Sequence, residues 1–345
     1  SGRGAFLKPP ATRVRPSKAE AAPRTVVDFL RVTQEHLSRK GFESPRLEAE
    51  MLLGHVLGLD RVGLYLQYDR PLLPDEVNKF RFLLRHRLNR EPLQWILGEV
   101  EFFGIKLLMK PGVFVPRPET ELLVEVTNRY IKGIFERRDA GSSPLLSAGG
   151  NKRGVHFKVL DIGTGSGAIA LAIASSLLEV IVHGCDISST ALDLARENAR
   201  ILSNIPPDSR GGIEGGELLD RVGFERWDMM DFRIPKFFET PYHWITMNPP
   251  YVRSENWDSL PPEVKAEPRT ALDGGDDGLA FYRRLSELLP DILVKGGGVS
   301  LEIGIGQSDP VRLLLQSSFQ EITCTPDHNC IDRVICGLGF KGDGT

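Results

Sequence analysis

Val159-Leu-Asp-Ile-Gly-Thr-Gly-Ser-Gly-Ala-Ile-Ala-Leu-Ala172 reads as a strand, a glycine turn and a helix in direct succession. The apolar run ending at Ile162 suits a buried strand, and the alanine-rich run from Ala168 suits a helix packed on it. Glycines at 163, 165 and 167 let the backbone turn sharply and leave no side chain between it and a ligand. The spacing is G-x-G-x-G, whereas a dinucleotide fold uses G-x-G-x-x-G and sets a pyrophosphate on the helix N-terminus. Asp161, just before the turn, would repel a pyrophosphate. It suits a ligand with an ammonium group, such as the methionine end of S-adenosyl-L-methionine. NAD and a turn with no ligand are the competing readings. The first candidate cofactor-binding set is therefore Asp161, Gly163, Thr164, Gly165, Ser166 and Gly167.

Outward from this stretch, strands and helices alternate. Strand-like runs cover 158–162, 180–186, 222–227, 243–247, 298–303, 319–325 and 333–337, with helical runs at 168–178, 190–202, 279–293 and 310–317. Such alternation predicts a mostly parallel sheet covered on both faces. The last two runs leave little room for a crossover helix and predict an antiparallel edge pair. The second strand ends in Asp186, a little over 20 residues after the first glycine, where a carboxylate can accept from both ribose hydroxyls. Capping the next helix is its plainer use, and both can hold. At the end of the third strand, Asp228 can accept from an adenine amino group while Met229 packs on the ring, with Asp231 as a competitor for the acceptor.

Asn248-Pro-Pro-Tyr251 ends the fourth strand, and in a doubly wound sheet ligands bind at such strand ends. The Asn248 amide oxygen and the Pro249 carbonyl can accept from an NH2 group. Pro250 helps to hold that geometry at little entropic cost, and Tyr251 can stack on a flat amide or base. Asn248, Pro249 and Tyr251 are the candidate catalytic residues. Asn248, Pro249, Pro250 and Tyr251 are the candidate substrate contacts, and Asn248 also borders the cofactor. Alone the tetrapeptide is a weak signal. After a glycine turn and an Asp-terminated second strand it points to methyl transfer onto a planar nitrogen.

The remaining sequence narrows the class. A chain of 345 residues has room for one large domain and one small one. The formal net charge of -3 counts against a nucleic-acid grip, which calls for a basic excess. No apolar run approaches the roughly 20 residues that a membrane-spanning helix needs. Cys324, Cys330 and Cys336 lack the close pairs of a zinc site, so no metal is expected and the four thiols suit a reducing compartment. Asp273-Gly-Gly-Asp-Asp-Gly278 lacks the ligand pattern of a calcium loop and reads as a turn before the helix from Leu279.

Residues 1–24 carry six basic side chains against Glu20 and predict a disordered basic leader, with an organelle transit remnant as the alternative. Residues 25–98 predict a small bundle of three helices: one capped by Thr25, one started by Ser44 and Pro45, and one following Pro74. Residues 99–118 predict a linking β-hairpin, and residues 119–340 the catalytic domain. Stretches 137–154 and 204–216 look like surface insertions.

Pro116-Arg-Pro-Glu-Thr-Glu121, Asp161–Gly167, Asn248–Tyr251, Glu267-Pro-Arg-Thr-Ala-Leu-Asp-Gly-Gly275 and Leu301-Glu-Ile-Gly304 together resemble the HemK/PrmC family of peptide-chain release factor N5-glutamine methyltransferases. The likeness runs from about residue 25 to 338. It implies a class I S-adenosylmethionine-dependent methyltransferase: an α/β fold, Rossmann-like, with a mostly parallel seven-stranded sheet and a small N-terminal helical-bundle domain. It implies methylation of the glutamine side-chain amide in a Gly-Gly-Gln motif of class I release factors. The partner is then a release factor, with no direct nucleic acid, no membrane, a monomeric chain and a cytoplasmic location; a mitochondrial or plastid location is the alternative. DNA adenine and some rRNA guanine methyltransferases share Asn-Pro-Pro-Tyr and supply the alternative substrate class. Trp227-Asp228-Met229 departs from the Asp-Trp common in bacterial members.

Overall fold

The computed structural model describes residues 25–139, 157–204, 215–231, 233–235 and 241–342. The expected basic leader and most of the two expected insertions lie outside them.

The chain divides after Leu88 into two units. In the first, α1 (Val26–Arg39) starts at a reciprocal cap: the Thr25 hydroxyl accepts from the Asp28 amide at 3.4 Å, and the Asp28 carboxylate accepts from the Thr25 amide at 3.3 Å. Its buried positions Val26, Phe29, Leu30, Thr33 and Leu37 follow the 3-to-4 spacing of one helical face. α2 (Pro45–Leu57) begins with proline at its first position, as expected, but the Ser44 side chain makes no capping bond. With φ -123° and ψ 56°, Ser44 lies off the extended conformation that aims a cap oxygen at the helix.

A short helix, α3 (Arg61–Leu66), was not expected; six residues are too few to show a period, and Asp60 starts it by accepting from the Gly63 amide at 2.7 Å. α4 (Pro74–Leu88) is tied to α2 by a buried two-pronged ion pair. Arg87 Nε and Nη2 donate to the Glu48 carboxylate at 2.6 and 3.0 Å.

The second unit opens with α5 (Leu93–Leu97) and a hairpin of β1 (Glu99–Phe102) and β2 (Ile105–Leu108). α6 (Glu121–Asp139) follows, then β3 (Phe157–Ile162), α7 (Ala168–Ser176), β4 (Val180–Asp186), α8 (Ser189–Ser203), α9 (Gly215–Arg221), β5 (Val222–Arg226) and β6 (Tyr242–Met247). The chain continues through α10 (Pro262–Lys265), α11 (Ala280–Ile292), β7 (Leu293–Glu302), α12 (Ser308–Leu315), β8 (Phe319–Pro326) and β9 (Asp332–Phe340). The hairpin is fastened to α8, whose Asn198 side chain accepts from the Leu108 amide at 2.7 Å.

Among the described residues, seven strands form one sheet in the order β5-β4-β3-β6-β7-β9-β8. β5, β4, β3, β6 and β7 run parallel, and β9 is antiparallel to both β7 and β8. The expected antiparallel pair is therefore present, with β8 at the edge and β9 inserted against β7. Alternate residues of β3 feed two cores: Val159 faces a layer with Leu123, Ile173 and Val182, while Leu160 and Ile162 face Ile245, Leu285 and Val299. One helical layer cannot satisfy both faces of such a strand, so helices cover both.

The order positions the site. From β3 the chain steps outward to β4 and β5, then returns to the other side of β3 as β6. The crevice lies where the direction reverses, outside the carboxyl ends of β3 and β6. Ile162 is paired with Met247, so the glycine turn and Asn248 leave the sheet side by side.

Candidate functional site

The cavity at these strand ends has a volume of about 560 Å³, within the usual range for a cofactor-sized ligand, about 300–1,000 Å³. Of the expected residues, Gly163, Thr164, Gly165, Ser166, Asp186, Asp228, Met229, Asn248, Pro249 and Pro250 line it. Asp161, Gly167 and Tyr251 are not among the lining side chains.

The glycine turn is built from backbone bonds. Amides of Gly163 and Thr164 donate to the Cys185 carbonyl at 2.8 and 2.9 Å, which wraps the turn over the end of β4. Gly163 and Gly165 hold φ of +73° and +57° with open space where a Cβ would stand. Glycine is needed there for the sign of φ, and the open side is the ligand's side.

Asp161 sits behind the turn, fully buried. Its carboxylate accepts from Thr164 Oγ1 at 2.7 Å and Thr246 Oγ1 at 3.1 Å, joining β3, the turn and β6. Burial pushes this acid up to about 7 against the pull of those hydroxyls. Its observed contacts are with the scaffold that shapes the cavity floor.

Asp186 does face the cavity. Oδ2 accepts from the Gly165 amide and Oδ1 from the Ser188 amide, both at 2.9 Å. Burial raises its pKa, and these backbone donors oppose the rise. A carboxylate offers about four acceptor positions, so two remain for a ligand's hydroxyl pair. The helix after it is capped by Ser188, whose Oγ accepts from the Ala191 amide at 3.2 Å. On the neighbouring wall Asp228 Oδ1 accepts from the Met230 amide at 2.9 Å, and Met229 is buried. Asp231 is not a lining residue.

The opposite wall depends on long-range side-chain contacts. Asn248 Nδ2 donates to Thr120 Oγ1 at 3.1 Å, and among the described residues its Oδ1 has no protein partner. Tyr251 turns its hydroxyl to Glu302 Oε1 at 3.4 Å, and its ring packs against the sheet core. The Asn248–Tyr251 backbone is braced by the acidic turn. The Val252 amide donates to the Leu272 carbonyl, the Gly274 amide to the Val252 carbonyl, and a Cβ at Gly274 would come within 2.6 Å of the Pro250 oxygen. In that turn Asp273 serves Ser254, Arg269 and Gly275, while Asp277 serves Leu279 and Arg283.

Several lining residues were not assigned from sequence. Thr120 is one. Phe114 and Pro116 are others, set on a stretch clamped by Glu267, a residue only 3% exposed. The Glu267 carboxylate accepts from the Val115 amide at 2.9 Å and from Arg117, so two of the quoted motifs are one structural piece. Met230, Arg269, Thr270 and Phe281 are further lining residues that received no role. The motifs containing Thr120 and Arg269 were visible, but they carried no signal of which side chain would reach the cavity.

Residues 28–98 match the PrmC N-terminal domain family, and residues 126–206 match the methyltransferase small domain family. Curated relatives named release factor glutamine methyltransferase match most of the chain. The Geobacter sulfurreducens protein is 38% identical, covering 91% of this chain and 95% of its own length. That of Chlorobaculum tepidum is 36% identical, covering 90% and 95%. That of Rhodopirellula baltica is 38% identical, covering 81% and 84%.

Proposed function

The chain belongs to the release factor glutamine methyltransferase family, and on that premise we propose the roles of its own residues in that reaction. The enzyme uses S-adenosyl-L-methionine to methylate the side-chain amide nitrogen of the glutamine in a release factor's Gly-Gly-Gln motif. The observation that carries the assignment of roles is the Asn248 amide. Its NH2 end is tied to Thr120, and its oxygen is left for a substrate at the wall of a cavity that adjoins the glycine turn.

The cavity fits the cofactor by volume, by the open side of the glycines and by the outward Asp186. When bound, S-adenosylmethionine supplies an electrophilic sulfonium methyl group. Asp186 would accept from the ribose hydroxyls, and Asp228 and Met229 would serve the adenine. Asn248 Oδ1 and the Pro249 carbonyl accept the two hydrogens of the glutamine NH2 and so fix the direction of the nitrogen.

An amide nitrogen is a poor nucleophile because its lone pair is delocalised into the carbonyl, so placement supplies much of the rate. As a bond to the methyl carbon forms, positive charge grows on the nitrogen, and both acceptors bind that state more tightly than the ground state. The nitrogen would gain the methyl group as the methyl carbon–sulfur bond breaks, with that electron pair left on the sulfur of S-adenosylhomocysteine, and would lose one proton to water. Tyr251 braces the loop from behind. No observed feature favours a nucleic-acid amine as substrate.

The helical region, residues 25–98, is assigned the docking of the release factor, with 99–118 as the link and 119–340 as the catalytic region. The partner is bound by a monomer. Cys185 and Cys336 are buried free thiols, which suits a reducing, cytoplasmic-type compartment. Among the described residues no helix is long and apolar enough to cross a membrane.

The test is incubation with labelled S-adenosylmethionine and either an intact class I release factor or a short Gly-Gly-Gln peptide, with the label mapped by mass spectrometry. Label on the glutamine amide and a strong preference for the intact factor are expected. Label elsewhere would overturn the substrate, and equal use of the peptide would overturn docking.

A further inference from the structure

A carboxamide has an acceptor end and a donor end of nearly the same shape. If Asn248 were turned over, its NH2 would face the substrate's NH2, donor against donor, and the site would lose its acceptor. Something in the fold must choose the orientation. We propose that Thr120 and Glu302 are positioning residues that fix which end of the Asn248 amide faces the substrate. This rests on the reading of Asn248 given above.

The choice is made by counting protons. The Asn248 Nδ2 bond of 3.1 Å makes the Thr120 oxygen an acceptor. A threonine hydroxyl has one proton, and Thr120 is only 2% exposed. The Glu302 carboxylate at the end of β7 stands beside that hydroxyl and is favoured in its charged form by it. Glu302 is also 2% exposed. Its Oε1 takes the Tyr251 hydroxyl, and Oε2 is buried without a partner at full hydrogen-bond geometry, so an acceptor is available for the Thr120 proton.

While Glu302 is ionised it can only accept. Thr120 must then donate to it, the Thr120 oxygen must accept from Asn248 Nδ2, and Asn248 Oδ1 must face the cavity. A protonated Glu302 removes the constraint. It can donate to the Thr120 oxygen, the Thr120 proton can turn to the Asn248 oxygen, and the amide can sit reversed.

The groups around Glu302 set where this change occurs. Arg333 on β9 favours the carboxylate, whereas Glu119, beside Thr120, disfavours it. Tyr251 donates to the carboxylate from the loop after β6, whereas Tyr282 on α11 donates to the Glu302 backbone carbonyl at 2.7 Å and not to the carboxylate. Burial outweighs the favourable contacts and pushes Glu302 up to about 7. Loss of turnover on acidification through that value is the expected consequence.

The test compares wild type, Thr120→Val, Thr120→Ser and Glu302→Gln. Turnover on a release factor is followed from pH 6 to 9, with S-adenosylhomocysteine affinity measured for each protein. Thr120→Val should lower kcat at least about tenfold with cofactor affinity within twofold of wild type. Thr120→Ser, which keeps the hydroxyl, should recover most of it. In wild type, kcat should fall as pH drops below 7, and Glu302→Gln should be slower and lack that fall.

Near-normal turnover by Thr120→Val would overturn the proposal. So would a Thr120→Ser variant as poor as Thr120→Val, because the contact would then be mere packing, or a Glu302→Gln variant that keeps the wild-type acid limb. Should Glu302→Gln fail to fold, the valine and serine pair decides alone. Wild-type protein that binds S-adenosylhomocysteine yet methylates no glutamine overturns the parent reading, and this one with it.

Discussion

The two walls of the cavity are held in different ways. The cofactor wall is fixed chiefly by backbone donors within about two dozen residues: the glycine turn hangs from the Cys185 carbonyl, and the Asp186 carboxylate is pinned by the amides of Gly165 and Ser188. The substrate wall is fixed by side chains far apart in the chain. Asn248 meets Thr120 across 128 positions, and Tyr251 meets Glu302 across 51. A backbone-built wall survives many substitutions of its neighbours. A wall made of single side-chain contacts can be disabled by one atom, and that difference orders the expected effects.

The largest belongs to Asn248. Asn248→Ala is expected to cut turnover at least about 100-fold, roughly 2.7 kcal/mol of transition-state stabilisation, while leaving cofactor affinity within a few-fold. Asn248→Asp keeps an acceptor but has no N–H for Thr120 and brings a second carboxylate toward Glu302, so it is expected to fail nearly as badly. Single-turnover methylation gives the comparison. An Asp variant close to wild type would show that the tie to Thr120 is dispensable.

Asp186→Ala probes the other wall and should weaken S-adenosylhomocysteine binding roughly 10- to 100-fold, from lost charge-assisted hydrogen bonds worth about 1.5–3 kcal/mol. The Gly165 and Ser188 amides also lose their partner, so the melting temperature should fall as well. Unchanged affinity in isothermal titration would remove Asp186 from the site.

Gly184→Ala tests whether the cofactor wall is as tightly built as its bonds suggest. A Cβ there would come within 2.7 Å of both Thr164 Oγ1 and the Phe224 ring. Overpacking of this kind costs about 1–3 kcal/mol. Denaturant unfolding should show the loss, with turnover by the folded fraction nearly intact. A variant as stable as wild type would mean that the turn has slack.

The same difference decided what could be read from the sequence. Gly163, Gly165 and Asp186 were legible because strand, turn and next strand end lie within about two dozen residues and carry their own signals: glycine where φ is positive, an acid where the strand stops. The parallel sheet was legible from alternation. The insertion of β9 between β7 and β8 was not, since strand order is settled by pairing across the sheet. Thr120 and Glu302 both lay inside quoted motifs, yet neither received a role, because each acts only once β6, β7 and the segment before α6 are brought together. Asp161 shows the converse. Its place before the turn suggested the ligand's ammonium, but the structure engages it with Thr164 and Thr246.

The last expected effect is a pH dependence of stability, and it again separates the walls. Glu302 has a folded pKa of about 7 against an ordinary value of 4.5. Between those values the folded protein holds a proton that the unfolded chain has released. The contribution of this group to stability is therefore fully present below about 4.5 and is lost as pH rises through about 7, at up to about 1.4 kcal/mol per pH unit. Activity moves the opposite way, because the ionised form is the one that orients Asn248. Glu302→Gln should remove this slope, so its stability should change less than that of wild type between pH 5 and 7, while Asp161, pushed up to about 7 as well, contributes its own slope to both proteins. Urea midpoints at pH 5, 6, 7 and 8 make the comparison. Parallel curves for the two proteins would mean that Glu302 titrates near its ordinary value, and the acid limb of turnover would then need another source.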